Sequence, residues 1–524
     1  MHVEKNICES ILNTLLQKDE KSKDNIKARL DMQTLKIRVH LHPKPSKKVA
    51  GKVVIPHASY NMSKEEKKRF LQVLKDLKLP HGFSSNISKL VHVQGLKIVG
   101  LKSHDCHVLM QQLLPLALRR SMSKPVAKVP IEFCIFFREL CTKVLDMKTL
   151  ERLERVIPIV LCKLEKIFPP AFFDVMIHLV IHLATEAKLV GPVQYKWMYT
   201  IERYLLTLKN YICNGNRPEG SIAEGYLMEE VTTFCARYID GVETKLNRPV
   251  CYDEGPIGVA VSYFILAEEA YQVHRFVLFN CEKTHPYLIE HKNVLKRQHP
   301  LWSEHQVQQE QHTNFINNER QRAPLGEELI SLARGPKHDS YSYKGFFVNG
   351  YKFETTNTDK TRVTQNSGIA TIGEVDNVYY GILMSIIEVY FGTLPPMLLF
   401  KCHWYNTKHG SGSRIDEFDF TMVNTTLQSF EDEPFIYSFQ AQQVFYSKDP
   451  VMSNRSVVCR WKPRDTYEIS SVDVNVIVQG DEASLQDQDV GIRDVKDNIE
   501  EDVTWVCKEL GVGVRVDEDV LNLN

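Results

Sequence analysis

The chain contains no Cys-x-x-Cys pair. Its twelve cysteines are scattered along 524 residues, which excludes the compact disulfide framework of a small secreted domain and points to reduced thiols. Also missing are G-x-x-x-x-G-K-[ST], G-x-G-x-x-G, G-x-S-x-G and H-E-x-x-H, the usual sequence signs of a phosphate loop, a dinucleotide site, an esterase elbow and a zinc protease. The "GSGSR" at 410–414 is a glycine-serine turn without the Lys-Ser/Thr that a phosphate loop needs. No stretch approaches the roughly 18 to 20 apolar residues needed to cross a bilayer. The N-terminal "MHVEKNICESILNTLLQKDEKSKD" lacks a basic segment followed by an uninterrupted apolar one, so it is not a signal peptide. An intracellular protein with no membrane partner is the expectation.

Net charge is absent as well, with 65 Lys plus Arg against 65 Asp plus Glu, but the zero averages over an asymmetric chain. Basic clusters occupy the first 130 residues: Lys44, Lys47 and Lys48, then "SKEEKKR" at 63–69, then Arg119, Arg120, Lys124 and Lys128. The last 45 residues are acidic, with "DEASLQDQD", "DNIEED" and "DED". Either these are two solvated surfaces of opposite sign, or the basic front meets an acidic polymer such as DNA.

What is present is enough apolar material, 43% of residues, for a globular chain of several domains. Residues 3–17 have helical spacing through Val3, Ile7, Ile11, Leu12, Leu15 and Leu16. Ser63 followed by Glu66 is a capping box opening the next helix. From 103 to 245 successive helices are predicted at 105–120, 131–146, 148–167, 171–188, 197–213 and 221–244. Breaks are placed at Pro115 and Pro130, and a kink at Pro158. Residues 250–284 lean towards strand, and 286–335 read as a polar, solvent-facing connecting helix. From 340 the period changes to β-branched and aromatic runs separated by Gly, Pro and Asn. The expected fold class is therefore α+β, a mostly helical N-terminal half followed by a small β-rich domain. The corresponding segments are 1–85, 86–245, 246–335, 336–465 and an acidic, flexible tail at 466–524.

Three groups of residues invite a chemical reading. His178 and His182 stand at i and i+4 in "FFDVMIHLVIHLATEAK", the spacing with which two imidazoles share a metal; the alternative is a pair of satisfied core histidines. Glu202, twenty residues after His182, opens "IERYLLTLKNYI". It is either a carboxylate ligand for a divalent metal or a first-turn glutamate favoured by the helix dipole. In "GLKSHDCHVLMQQLLP" the residues His104, Asp105, Cys106 and His107 are consecutive and so cannot all face one ion; Ser103 or Asp105 is expected to cap a helix there. In the β-rich segment Tyr379, Tyr380, Phe400 and Trp404 either form an aromatic pocket for a protein tail or fill the core.

Several strings together, "MHVEKNICESILNTLL", "GLKSHDCHVLMQQLLPLALR", "FPPAFFDVMIHLVIHLATEAKLVGPVQYKWMYTIERYLLTLKNYICNGNRPEGSIAEGYLMEE", "SLARGPKHDSYSYKGFFVNGYKF", "TQNSG" and "LLFKCHWYN", resemble the C-terminal half of plant CACTA (En/Spm-type) transposon proteins. The resemblance is collinear from residue 1 to about 460. It implies two recurring domains of uncharacterised function that follow an RNase H-like transposase domain, in which three acidic residues hold metal ions for DNA cleavage and transfer. It assigns His178 and His182 to a metal-binding His pair, Glu202 to the final catalytic acid, and His2 to the histidine of an Asp-x-Met-His string. The first two catalytic acids and a Cys pair would precede Met1, which makes this chain a truncated, catalytically incomplete protein with no cofactor of its own. Magnesium or zinc would enter only with that missing part supplied. DNA, other transposon-encoded proteins and a nuclear location are the partners and place the resemblance implies.

Overall fold

The computed structural model describes residues 2–460, apart from 19, 46–52, 85, 143, 194–197, 239–254, 319–325, 374–376, 409 and 431, together with 504–506. Lys47 and Lys48 and nearly all of the acidic tail lie outside the described residues. The protein is α+β and divides into two compact units. The first comprises residues 1–75, 85–247 and 465–524; the second comprises 76–84 and 248–464.

The first unit is helical. Helix α1 (His2–Leu15) buries Ile7, Cys8, Ile11, Leu12 and Leu15, the stripe that the 3.6-residue period lays on one face. After α2 (Ile26–Thr34), α3 (Lys64–Asp76) opens on the expected capping box: Ser63 N donates to Glu66 Oε2 at 2.7 Å and Glu66 N to Ser63 Oγ at 3.3 Å. Next come α4 (Ser103–Val108), a single π turn (Leu109–Leu113) and α5 (Leu114–Leu118), so Pro115 falls where the π turn hands over to α5. Helix α6 (Lys124–Leu140) runs through Pro130 instead of starting after it. Its apolar face, with Val126, Ile131, Phe133 and Phe137 buried, outweighs the single backbone hydrogen bond that proline removes. Helix α7 (Met147–Ile167) likewise continues through Pro158, capped by Asp146, whose carboxylate accepts from Thr149 N at 2.9 Å. Helix α8 (Val175–Val190) packs on α7 and α1; α9 (Tyr199–Asn210) and α10 (Pro218–Tyr238) follow.

The second unit is built on an antiparallel sheet of 11 strands. Its central hairpin pairs Val378–Val389 with Met397–Tyr405, and a bulge falls between Leu383 and Ser385. Beyond the bulge alternation sorts the faces. Ile387, Val389 and Leu399 meet the helices, where Val273, Val277, Leu278 and Leu332 complete one core. Leu383, Ile386, Phe400, Cys402 and Trp404 turn to the other side, against Val348, Phe353 and Ile369. Two expectations are corrected. The strand-leaning segment at 250–284 holds short strands at Gly255–Ile257 and Val261–Phe264 and then a helix, Ala267–Phe279, because Val273 and Val277 recur at helical spacing on the core side. The polar run after it is not simply solvent-facing: Leu288, Leu295, Val307, Gln311 and His312 are buried.

Candidate functional site

Asp174 caps α8, accepting from Met176 N at 3.0 Å and receiving the Lys23 ammonium at 2.9 Å. Partial burial pushes its carboxyl up, but the Lys23 ammonium and the helix N–H groups outweigh that and hold it below the usual range. One turn on, His178 and His182 are exposed, which corrects the core-histidine reading. Their Nε2 atoms are 3.4 Å apart and their rings 5.1 Å apart at 74°. Two ligands on a tetrahedral zinc with bonds of about 2.0 to 2.1 Å are separated by roughly 3.3 Å, so the pair has the right edge length. Among the described residues no third His, Cys, Asp or Glu joins it. Glu202 lies in the first turn of α9; its side chain is outside the described residues, so its distance from the His pair is not a feature of the described structure. His2 is exposed at the start of α1.

A second locus, which the sequence reading overlooked, is buried in the same helical unit. Glu4 is only 3% exposed. Its Oε2 lies 2.7 Å from His107 Nδ1 on α4, and its Oε1 accepts from Gln111 Nε2 at 3.0 Å. Gln111 Nε2 is in turn 2.9 Å from His107 Nδ1. Cys141, at the C-terminus of α6, closes the group: one ligand atom each from Glu4, His107 and Cys141 lie within 4.8 Å of one another. The π turn carries Gln111, and such one-turn widenings change the direction in which a side chain leaves the helix. Burial and the negative charge of Glu4 push the Cys141 thiol well up. The same core holds Cys8, Cys106 and Cys134, all fully buried. A thiol–thiol hydrogen bond between Cys8 and Cys106, together with burial, pushes the Cys8 thiol up too. Consecutive residues 104–107 do diverge as expected: His107 turns to Glu4 while Asp105 accepts from Lys102 N at 2.9 Å. A signal for Glu4 was present, because it sits three and four residues before Ile7 and Cys8 on the buried stripe of α1.

Basic residues also converge in this unit. The Arg69 guanidinium donates to Arg120 O at 3.0 Å, joining the 63–69 cluster to the 119–128 cluster. Lys64, Lys68, Arg69, Lys124 and Lys128 are exposed, whereas Arg119 is buried.

In the β-rich unit the aromatic residues fill the core. Phe400, Trp404 and Tyr380 are buried, and Tyr379 is half-buried with its ring edge-on to Phe430 at 5.2 Å. A groove beside them carries Glu269, which accepts from Lys401 Nζ at 2.6 Å and from Tyr263 OH at 2.5 Å. Burial and that carboxylate push the Tyr263 hydroxyl up to about 12. A separate hollow of about 310 Å³ is lined by Asp359, Lys360, Ser367, Tyr405 and Tyr446. Asp359 Oδ2 accepts from Asn366 N at 2.8 Å and Ser367 N at 2.7 Å, and burial raises its carboxyl.

No helix among the described residues is long and apolar enough to cross a membrane. No curated protein and no solved structure matches the chain. Residues 140–252 match the family model described as a domain of unknown function (DUF4218), which covers α7 to α10, and residues 387–462 match a second domain of unknown function (DUF4216), which covers the end of the central hairpin and the strands after it. The chain thus carries, in this order, two uncharacterised domains typical of plant transposase-like proteins.

Proposed function

We propose that the chain is a transposon-derived protein of the CACTA type whose helical unit contacts DNA and which does not cut DNA by itself. The observation that carries the binding half is the joining of two basic clusters, fifty residues apart in sequence, through the Arg69–Arg120 hydrogen bond. Exposed lysines on both clusters give phosphates a positive surface. The cutting half rests on donor chemistry. Two-metal strand cleavage uses several carboxylates around ions about 4 Å apart. Among the described residues the one group of three potential ligands contains a single carboxylate, an imidazole and a thiol. His178 and His182, with Glu202 near the next helix start, fit the family's metal pair and final acid. They become catalytic in this reading only alongside further carboxylates, supplied with magnesium or zinc by another polypeptide. Nuclear work on transposon ends, with other transposon-encoded proteins as partners, follows from the same resemblance.

Duplex binding measured against salt tests this. The expected result is a linear fall of log affinity with log salt. Replacing Arg69, Lys124 and Lys128 by Glu should flatten that slope by about 0.9 for each phosphate no longer neutralised. Absence of duplex binding at low salt, or a slope unchanged in that variant, overturns the binding half. Strand cleavage by the purified chain with Mg²⁺ or Mn²⁺, abolished by Glu202→Gln, overturns the other.

A further inference from the structure

We propose that Glu4, His107, Gln111 and Cys141 form a structural zinc site in the core of the helical unit. The site is independent of the exposed His178–His182 pair and of the reading of function above.

The first argument is proton accounting. Glu4 accepts only; His107 Nδ1 either donates or accepts; the Gln111 amide presents either NH₂ or oxygen. With Nδ1–H donating to Glu4 at 2.7 Å, the Gln111 NH₂ at 2.9 Å faces another donor. Turning the amide over puts its oxygen against Glu4 Oε1, 3.0 Å away, acceptor against acceptor. If Nδ1 instead accepts from Gln111, it faces the carboxylate without a proton. One arrangement does close the cluster, with Nδ1–H donating to Glu4 Oε2 and the two Gln111 N–H bonds directed to Glu4 Oε1 and the Cys141 sulfur; the 2.9 Å between Gln111 Nε2 and His107 Nδ1 is then a contact between two donors. A cation at the centre would replace the shared protons and widen these 2.7 to 3.0 Å separations to about the 3.3 Å edge of a zinc tetrahedron, with carboxylate oxygen, imidazole nitrogen, amide oxygen and thiolate as its ligands.

The second argument is charge and softness. Glu4 is buried against an imidazole, an amide and a thiol, none of which is a fixed cation. One carboxylate and one thiolate together carry two negative charges, which a divalent ion cancels. Sulfur and nitrogen donors select zinc over magnesium or calcium. Four protein ligands without an open position are the pattern of a structural site, not a catalytic one. Binding would displace the Cys141 thiol proton and the Nδ1 proton of His107 to solvent. The ion would then tie α1 to α4 with its π turn and to the end of α6.

The test is zinc retention by the reduced, full-length chain at neutral pH, after equimolar Zn²⁺ and desalting. One zinc per chain is expected, kept when His178 and His182 are both changed to Ala. Cys141→Ser and Glu4→Gln should each weaken binding at least about tenfold. No retained zinc, or zinc lost from the double-histidine variant and kept by Cys141→Ser, overturns the proposal. If the core variants fail to fold, Co²⁺ added to the unaltered chain decides: a thiolate-to-cobalt charge-transfer band supports the site, and bound cobalt without one overturns it.

Discussion

Each unit buries carboxylates, and they are partnered in different ways. In the β-rich unit Asp359 Oδ2 is held by the backbone N–H groups of Asn366 and Ser367, while its buried Oδ1 has no hydrogen-bond partner among the described residues. Glu354 accepts from Asn366 Nδ2 at 2.7 Å and pairs with Lys352 at 3.0 Å. Main-chain donors and a fixed amide brace a sheet; nothing there is exchangeable. In the helical unit Glu4 is surrounded by an imidazole, an amide and a thiol, side chains that also ligate metals. The burial of Glu354 is met by architecture, and Glu4 sits instead among donors suited to an ion.

That contrast is sharpest at Asn366, which also accepts from His81 N at 2.8 Å. Asn366→Ala strands a buried carboxylate oxygen and a backbone N–H, and is expected to cost about 3 kcal/mol in chemical denaturation, with or without zinc. Zinc should instead raise the stability of the helical unit alone. A zinc-dependent change in the effect of Asn366→Ala would break the comparison.

A smaller effect comes from the buried pair His274 and His312, whose ring nitrogens lie 3.3 Å apart. Burial first, then the neighbouring His274 and Arg275, pushes His312 down from 6.5 to about 4. The fold therefore prefers the neutral ring, and the unfolded chain takes up its proton first as pH falls. Stability from this source is full above pH 6.5, declines as pH drops through 6.5, and the loss is complete below about 4. Thermal unfolding between those limits should show the decline, and His312→Gln should flatten it. A pH-independent midpoint would contradict this reading.

The smallest expected effect is at the α3 cap. Ser63→Ala removes the hydroxyl that accepts from Glu66 N and should lower stability by about 1 kcal/mol, with zinc content unchanged.

How much of this could be read from the chain follows the range of each interaction. The Ser63–Glu66 cap spans three residues and was legible. So were the buried stripe of α1 and the change to strand period after 340, because periodicity is local. Pro130 misled, since a proline's local cost is visible in sequence while the burial that offsets it along α6 is not. The His pair was legible as a spacing but not as an exposed one. Glu4 and His107 stand 103 residues apart, and nothing local announces that they meet. The twelve cysteines looked scattered because four of them converge only through packing of α1, α4 and α6.

Zinc-edge X-ray absorption on the unaltered, zinc-loaded chain tests the central claim most directly. The account expects one sulfur at about 2.3 Å together with nitrogen and oxygen at about 2.0 to 2.2 Å. A shell of nitrogen and oxygen alone would place the metal at the exposed histidines and contradict it.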